Sequence, residues 1–401
     1  MYILVINCGS SSIKYTLFQE KTNRVAAKGI VERIGEPGTN IRFQKTDGVE
    51  VRLQVRLEQI QEAIEHIVRL ISDPEAGGID AKQVTAIGHR VVHGGETIAQ
   101  PSIIDERVKQ VIQSCFDLAP LHNPPNFEGI LACERLFPWA RQVAVFDTAF
   151  HATLSPQAFL YALPYELYQK KKIRKYGFHG TSHQYVSRLA AKKLGQPLAS
   201  LRMITCHLGN GCSITAVSNG VSIDTSMGFT PLEGVPMGTR CGDTDPAIVF
   251  HLMRKEGLTA TQVETLMNRE SGLRGLSGIG SNDMRDLESA MKEGKQQAEI
   301  AVRVFAYRVK KYIGAYAFAM GGLDAIVFTA GIGENSANTR QLICNGLESM
   351  GIRLSPERNA TPMENDGEIQ SDNSNIKLFI IPTNEELEIA RQVIQVVGQP
   401  E

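Results

Sequence analysis

The strongest constraint on this chain is a short pattern that occurs twice. Residues 2–18 read YILVINCGSSSIKYTLF and residues 203–217 read MITCHLGNGCSITAV. Each is an apolar run, a tight turn of Gly, Ser or Asn, and a second apolar run. Short runs rich in Val and Ile and bounded by turn residues are strands. Glycine lets the backbone bend sharply and approach a ligand closely. Successive turn N–H groups then converge on one concavity, which attracts anions. Ser10, Ser11 and Ser12 add hydroxyl donors and Lys14 adds a positive charge, while Asn210 and Ser213 echo the first copy in the second. The turn is not a Walker loop, because G-x-x-x-x-G-K-[ST] is absent and a strand follows it. One copy alone would equally suit an ordinary hairpin with a polar turn. The repetition argues for a duplicated phosphate-binding device.

Length and charge bound the partners. The 401 residues suit two or three domains at about 150 residues each. Lys and Arg number 42 against 43 Asp and Glu, a net charge of -1. That balance argues against nucleic acid or an anionic membrane as partner, so any anion site is local. Seven dispersed cysteines without a C-x-x-C pair imply reduced, mostly core thiols in a cytoplasmic protein. The chain begins directly in a strand, so no signal peptide is expected. No apolar run approaches 18 residues, so no membrane span is expected.

A polar stretch to about Val55 predicts more antiparallel strand. Leu57, Ile60, Ile64, Ile67, Val68 and Ile71 fall at helical spacing, ending before Asp73-Pro74. A strand over Val84–Gly88 then runs into His89-Arg90-Val91-Val92-His93-Gly94-Gly95. That density of polar groups beside a Gly pair suits ligand contact; the plainer alternative is two core histidines and a surface arginine. Asp105 is placed to cap a helix carrying Val108, Val111, Ile112 and Cys115. The prolines of Pro120–Asn126 exclude helix and central strand there, leaving a cleft lining or a connection. Asp147 follows a strand ending at Phe146, and ligands of open α/β sheets bind beyond the carboxyl ends of strands. The alternative for Asp147 is an N-cap.

The first domain should close near residue 150. The basic run Lys170–Lys175 reads as a solvated face. Next come Gly177, Phe178, His179 and His183, two histidines on a Gly-framed turn before a helix, whose N-terminus favours anions. His179 therefore suits a phosphoryl oxygen or a structural role. Arg240 sits in a glycine-dense loop before Asp245-Pro246, which reads as an N-cap with Pro at the first helical position. Thr259 and Gln262 form a capping-box pattern, and Asp283 opens another helix. Val302, Phe305, Val309, Ile313 and Tyr316 form a core stripe. Ala325–Thr329 predicts a buried strand, Gly331-x-Gly333 a turn and the following residues a helix, a nucleotide-type junction. The last strand, Phe379–Ile381, leads to a helix through Ile389, Val393 and Val396. Glu385 and Glu386 suit its dipole, with a metal role open for one of them.

The motifs Asn7–Lys14, Gly88–Gly95, Phe146–His151, Gly177–His183, His207–Gly211, Gly238–Asp243, Gly331–Asn335 and Pro382–Glu386 together resemble the acetate kinase family, over essentially the whole chain and without departure. The resemblance implies an α/β fold: duplicated actin-like ATPase (ribonuclease H-like) domains with an interdomain active-site cleft. The first domain would be discontinuous, 1–150 plus 383–401, and the second, nucleotide-binding domain would span 151–382. The implied activity is reversible in-line phosphoryl transfer from ATP to acetate by a homodimer. Lys14, with Ser10 and Ser12, and the stretches His207, Leu208, Gly209, Asn210, Gly211 and Gly331, Ile332, Gly333, Glu334, Asn335 would serve ATP. Asp283, Met284 and Arg285 would lie beside the nucleotide. Asn7 and Glu385 would hold Mg²⁺, for which Mn²⁺ would substitute. Arg90 would bind the acid, with Val92, Leu121, Phe178 and Pro231 around its alkyl group. Asp147 is the family's acid/base candidate, and His179 and Arg240 would stabilise the transition state. Acetate is ionised at neutral pH and has no proton to lose, so Asp147 is expected instead to organise Mg²⁺ and orient an arginine. Two alternatives stand beside this reading: a propionate kinase, and a non-catalytic ATP-driven binding module on the same fold.

Overall fold

The strand Tyr2–Cys8 (β1) is apolar at nearly every position and is packed on both faces. Side chains alternate across a strand. Ile3 and Val5 join one core cluster with Ile389, Ala390 and Val393 of the final helix, Glu385–Val397. Leu4 and Ile6 join the opposite cluster, with Ala63, Ile64 and Ile67 of the helix Ile60–Ser72. This computed structural model describes residues 1–398, so the last residues of the expected segment 383–401 lie outside the described residues. The chain divides into two units, Met1–Ala152 with the segment from Asn384 onward, and Thr153–Thr383.

The first unit holds an eight-stranded sheet. Its further strands are Ser12–Gln19 (β2), Val25–Glu32 (β3), Thr39–Lys45 (β4), Glu50–Val55 (β5), Val84–Val91 (β6), Ser102–Ile103 (β7) and Arg141–Phe146 (β8). The order is β5-β4-β3-β2-β1-β6-β8-β7. Strands β1 to β5 run as an antiparallel meander, while β1, β6 and β8 are mutually parallel. The second unit holds Arg202–Leu208 (β9), Cys212–Ser218 (β10), Val221–Thr225 (β11), Ala325–Thr329 (β12) and Lys377–Ile380 (β13), in the order β11-β10-β9-β12-β13. Again three strands are antiparallel and the next two parallel to the first. The strands β3-β2-β1-β6-β8 of the first sheet thus share one topology with the whole second sheet, and the repeated strand–turn–strand is the start of each. Among the described residues no helix is long and apolar enough to cross a membrane.

Several local expectations hold. Asp105 accepts the Val108 N–H as an N-cap, Thr259 and Gln262 form a capping box, and Asp283 caps the helix Met284–Lys292. The stripe from Val302 to Tyr316 is buried. Others need correction. Residues 123–126 belong to the helix Asn123–Leu136: Pro124 and Pro125 fall in its first turn, where backbone N–H groups lack intrahelical partners anyway. The residues after β12 form a helix at once, Ala330–Asn335, so Gly331 and Gly333 are helical rather than a turn. The reversal is made by Ala330 at φ 63°. The basic run is only half a solvated face. Arg174 is buried with its guanidinium 3.7 Å from the Phe159 ring centroid, and Lys175 Nζ donates to Glu233 at 3.1 Å.

Gly88 of β6 sets how closely the final helix approaches the first sheet. A Cβ there would lie 2.7 Å from Val393 Cγ2 and 2.8 Å from Ile389 Cγ2. Gly88→Val is therefore expected to destabilise the protein by about 1–3 kcal/mol through overpacking. A lowered urea midpoint at unchanged slope is the expected reading, and an unshifted midpoint would show that the helix gives way freely.

Candidate active site

In the first unit the candidate residues gather where parallel strands end. Asn7 pairs with Lys14 across the first hairpin, near the end of β1. Its three-residue turn is closed by a bond from Gly9 N–H to the Ser12 carbonyl at 2.7 Å, and Ser10 and Lys14 are exposed. Arg90 lies inside β6, which runs three residues beyond the expected Gly88. Asp147 follows β8 and extends the ladder by donating its N–H to the Val91 carbonyl at 3.0 Å. Arg90 Nε donates to Asp147 Oδ1 at 2.9 Å and Nη2 donates to Oδ2 at 2.7 Å, a bidentate pair. Asp147 is only 2% exposed, so this pair, not an N-cap, is its role in the fold.

Glu385 opens the final helix, with Oε2 3.7 Å from Arg90 Nη2. That oxygen is buried and makes no hydrogen bond. Burial would lower the Arg90 pKa, but the carboxylates of Asp147 and Glu385 outweigh it and the net shift is upward. Burial raises the Glu385 carboxyl above its ordinary value, only partly opposed by Arg90. The two neighbouring histidines are core residues. His89 Nε2 is bonded to Gln142 Oε1 at 2.7 Å and burial lowers its pKa to about 4; His93 is fully buried. Val92 is buried and Leu121 is 58% exposed on the loop before the helix Asn123–Leu136.

Asn123 and Asn126 were not singled out by sequence. Asn126 accepts the Val92 N–H at 3.1 Å and donates to the Cys8 carbonyl at 2.6 Å, tying the end of β1 to the segment after Arg90. Asn123 exchanges two bonds with the His93 backbone, at 3.0 and 2.9 Å. Their signal was two asparagines three apart at the start of a helix, hidden by the prolines between them.

In the second unit, the three-residue turn Gly209–Gly211 joins β9 to β10, closed from Gly209 N–H to the Gly211 carbonyl at 3.1 Å. Asn210 is held from outside: its carbonyl accepts the Gly238 N–H at 3.0 Å and its Oδ1 accepts Asn282 Nδ2 at 2.7 Å. His179 is the N-cap of the helix Gly180–Leu194, with left-handed backbone at φ 58°. For a residue with a Cβ that conformation costs about 1 kcal/mol or more. Its ring stacks on His207, centroids 4.2 Å apart. A Cβ built on Gly211 would lie 3.4 Å from His179 Nε2 and 3.6 Å from Arg240 Nη1. The missing side chain therefore leaves a space that both groups face.

Arg240 has no carboxylate within ion-pair distance among the described residues; Nη1 donates only to the Pro231 carbonyl, at 3.4 Å, and approaches Met237 Sδ at 3.6 Å. Burial lowers its pKa. A largely buried guanidinium without a counter-charge is a ready anion site. Behind His179 stand Ser182 and Thr205, which the sequence did not single out, with His183, expected on the same turn, and Ser213, noted only as an echo. Ser213 Oγ is bonded to His179 Nδ1 at 2.9 Å and His183 Nε2 at 2.7 Å, while Ser182 Oγ is bonded to His207 Nδ1 at 2.8 Å.

Other nucleotide candidates are less uniform. Leu208 and Ile332 are core side chains. Glu334 Oε1 accepts the N–H groups of Ala330 at 2.8 Å and Thr383 at 3.2 Å, and Asn335 Nδ2 donates to the Gly331 carbonyl at 2.8 Å. These two side chains thus secure the β12 junction. Asp283 pairs with the exposed Arg285, and Met284 is buried.

Phosphate-type turns and arginines at the strand ends of two like sheets define a phosphotransferase of the duplicated actin-like ATPase class. The Acetokinase family model matches residues 2–391. The chain belongs to the acetokinase family, and is thus a phosphotransferase with a carboxyl group as acceptor. An acetate kinase of Dictyoglomus turgidum is 51% identical over 400 residues, covering 100% of this chain and 98% of the relative. The crystal structure of Porphyromonas gingivalis acetate kinase matches at TM-score 0.92 and 43% identity, over 99% of both chains. A propionate kinase from Francisella tularensis also matches at 0.92, with 41% identity over 98% of this chain and 99% of its own.

Because burial raises Glu385, its ionisation opposes folding. The stability contributed by its protonated form is complete below the ordinary value of 4.5 and is lost as pH rises through the raised one. Glu385→Gln, uncharged throughout, should therefore melt above the wild type near pH 8 without metal, with the gap closing by about pH 4. Equal melting temperatures at both pH values would contradict this.

Proposed function

We propose that the chain transfers the γ-phosphoryl group of ATP reversibly to acetate, giving acetyl phosphate and ADP by direct in-line displacement. The observation that carries this reading is Arg240, a half-buried guanidinium without a carboxylate partner, bordering the space over Gly211 together with the His179 ring. A nucleotide-driven binding module needs no such arrangement.

Acetate arrives ionised. Arg90 is assigned to its carboxylate: Nη1 engages neither Asp147 nor Glu385, so it retains donors in a fixed plane. Both Asp147 oxygens already accept from Arg90, so Asp147 anchors that arginine and does not act as a base. An acetate oxygen attacks the γ-phosphorus while the bond to the β–γ bridging oxygen breaks, and ADP departs with that electron pair. Charge in the loose transition state spreads over the equatorial oxygens. His179 and Arg240 are assigned to those oxygens; Val92, Leu121, Phe178 and Pro231 to the methyl group.

The two glycine turns, Ser10, Ser12, Lys14, the backbone of the β12 junction and residues 283–285 are assigned to ATP. The orphaned, buried Glu385 Oε2 and the Asn7 amide suit Mg²⁺, which takes oxygen ligands and completes its shell with water and phosphate. Mn²⁺ would accept the same donors. Bound there, the ion would neutralise phosphate charge. No cluster of three or more His, Cys, Asp or Glu forms a self-sufficient metal cage among the described residues. The seven unpaired cysteines support a cytoplasmic setting. Exposed Ile248, Phe250 and Met253 on the helix Ala247–Lys255 support a homodimer.

Hydroxylamine trapping tests the reaction. MgATP and acetate should yield acetohydroxamate, and Arg240→Ala should lower the rate by about 10³- to 10⁵-fold. ATP turnover without hydroxamate would instead indicate the binding module. The propionate kinase neighbour gives a second reading a definite basis. One methylene is worth about 1–3 kcal/mol in an apolar pocket. Val92→Ala should raise kcat/KM for propionate relative to acetate; an unchanged ratio means that Val92 does not bound the acid.

A further inference from the structure

We propose that Ser213 is a positioning residue that fixes the tautomer of His179, so that His179 presents an Nε2–H to the transferring phosphoryl group. The inference rests on the reaction proposed above. Ser213 is fully buried on β10, with Oγ 2.9 Å from His179 Nδ1 and 2.7 Å from His183 Nε2. A hydroxyl has one proton, and the buried Ser213 Oγ contacts no acceptor other than these two ring nitrogens, so it donates to one of them and accepts from the other. His183 is tied further back, its Nδ1 2.7 Å from Thr205 Oγ1 on β9. The four groups form one chain, and such a chain has two polarities.

In the first, Thr205 donates to His183 Nδ1, His183 Nε2–H donates to Ser213, and Ser213 donates to His179 Nδ1. Both rings are neutral and His179 carries its proton on Nε2. In the second, every donor is reversed and His179 donates from Nδ1. Its Nε2 is then either a bare lone pair or, with a second proton, part of an imidazolium. The surroundings select between them. His179 Nε2 and Arg240 Nη1 face the same space over Gly211. A lone pair aimed there would repel a phosphoryl oxygen. An imidazolium would set a like charge near a guanidinium that is already short of counter-charge. Only the first polarity offers the anion a donor without a second cation. The ring plane is held independently, by the left-handed backbone of His179 and by the stack on His207. What remains for Ser213 to decide is which nitrogen is protonated.

Two measurements on the full-length protein test this. Ser213→Ala is expected to lower kcat by about 10- to 100-fold, as loss of an orienting partner does, with KM for acetate and MgATP changed less than about twofold. Ring ¹⁵N shifts of His179 should report a neutral Nε2–H tautomer in the wild type and a mixture of tautomers in Ser213→Ala. An Nδ1–H or imidazolium signal in the wild type overturns the proposal. So does a kcat loss with unchanged ring shifts, which would mark Ser213 as merely structural. Should Ser213→Ala fail to fold, the isosteric Thr205→Val cuts the same chain one link back. Altered His179 shifts with lowered kcat then support the proposal, and unaltered shifts overturn it. The shifts are read without substrate, so they decide the tautomer whether or not the wild type turns over. Absent turnover in the wild type counts against the proposed reaction, not against the Ser213 contact.

Discussion

Burial of β1 and β9 on both faces is the constraint from which the rest follows. A strand enclosed on both sides has no room for an unsatisfied polar side chain. Polar chemistry is therefore pushed to the ends of these strands, where the ladder stops and the chain turns. Asn7 and Gly9–Ser12 stand at the end of β1, His207 and Gly209–Gly211 at the end of β9. Parallel neighbours deliver their own carboxyl ends to the same edge, which brings Arg90 and Asp147 to one edge and Ala330 and Gly331 to the other. The fold thus concentrates reactive groups because its core excludes them elsewhere.

Arg90, Arg340 and Arg240 show how differently one side chain is used. Arg90 is clamped by Asp147 before any ligand arrives, which fixes its plane and spares it reorganisation. Arg340, 1% exposed, is satisfied by the carbonyls of Gly333, Glu334 and Asn359 and by Asn359 Oδ1, and locks the short helix after β12. Arg240 has neither kind of partner, only a weak carbonyl contact. A charge withdrawn from water without a partner costs stability.

Much of the fold was legible because its signals are local. The capping box at Thr259 and Gln262, the Asp105 and Asp283 caps and the stripe from Val302 to Tyr316 each depend on residues within a few turns. The misreadings came where a local rule met a longer-range demand. Prolines argue locally against helix at 123–126, yet they sit in a first turn whose helix packs against β1 and β6. The run Lys170–Lys175 looked solvated by composition, yet Arg174 is drawn onto Phe159 and Lys175 onto Glu233, which is 58 positions away. In the histidine-rich segment 89–93 both rings are core, while Arg90 reaches Asp147 beyond the strand end.

The sequence by itself determined the two strand–turn–strand copies, the glycines that leave room above the turns, and the identity of the charged groups at the strand ends. Periodicity and turn chemistry act between neighbours, so they are written locally. Only the tertiary structure decided which groups meet. Arg90 finds Asp147 57 positions away, Glu385 arrives from the far end of the chain, and Ser213 comes to stand between His179 and His183. Sheet register and helix packing make those pairings, and no local pattern encodes them.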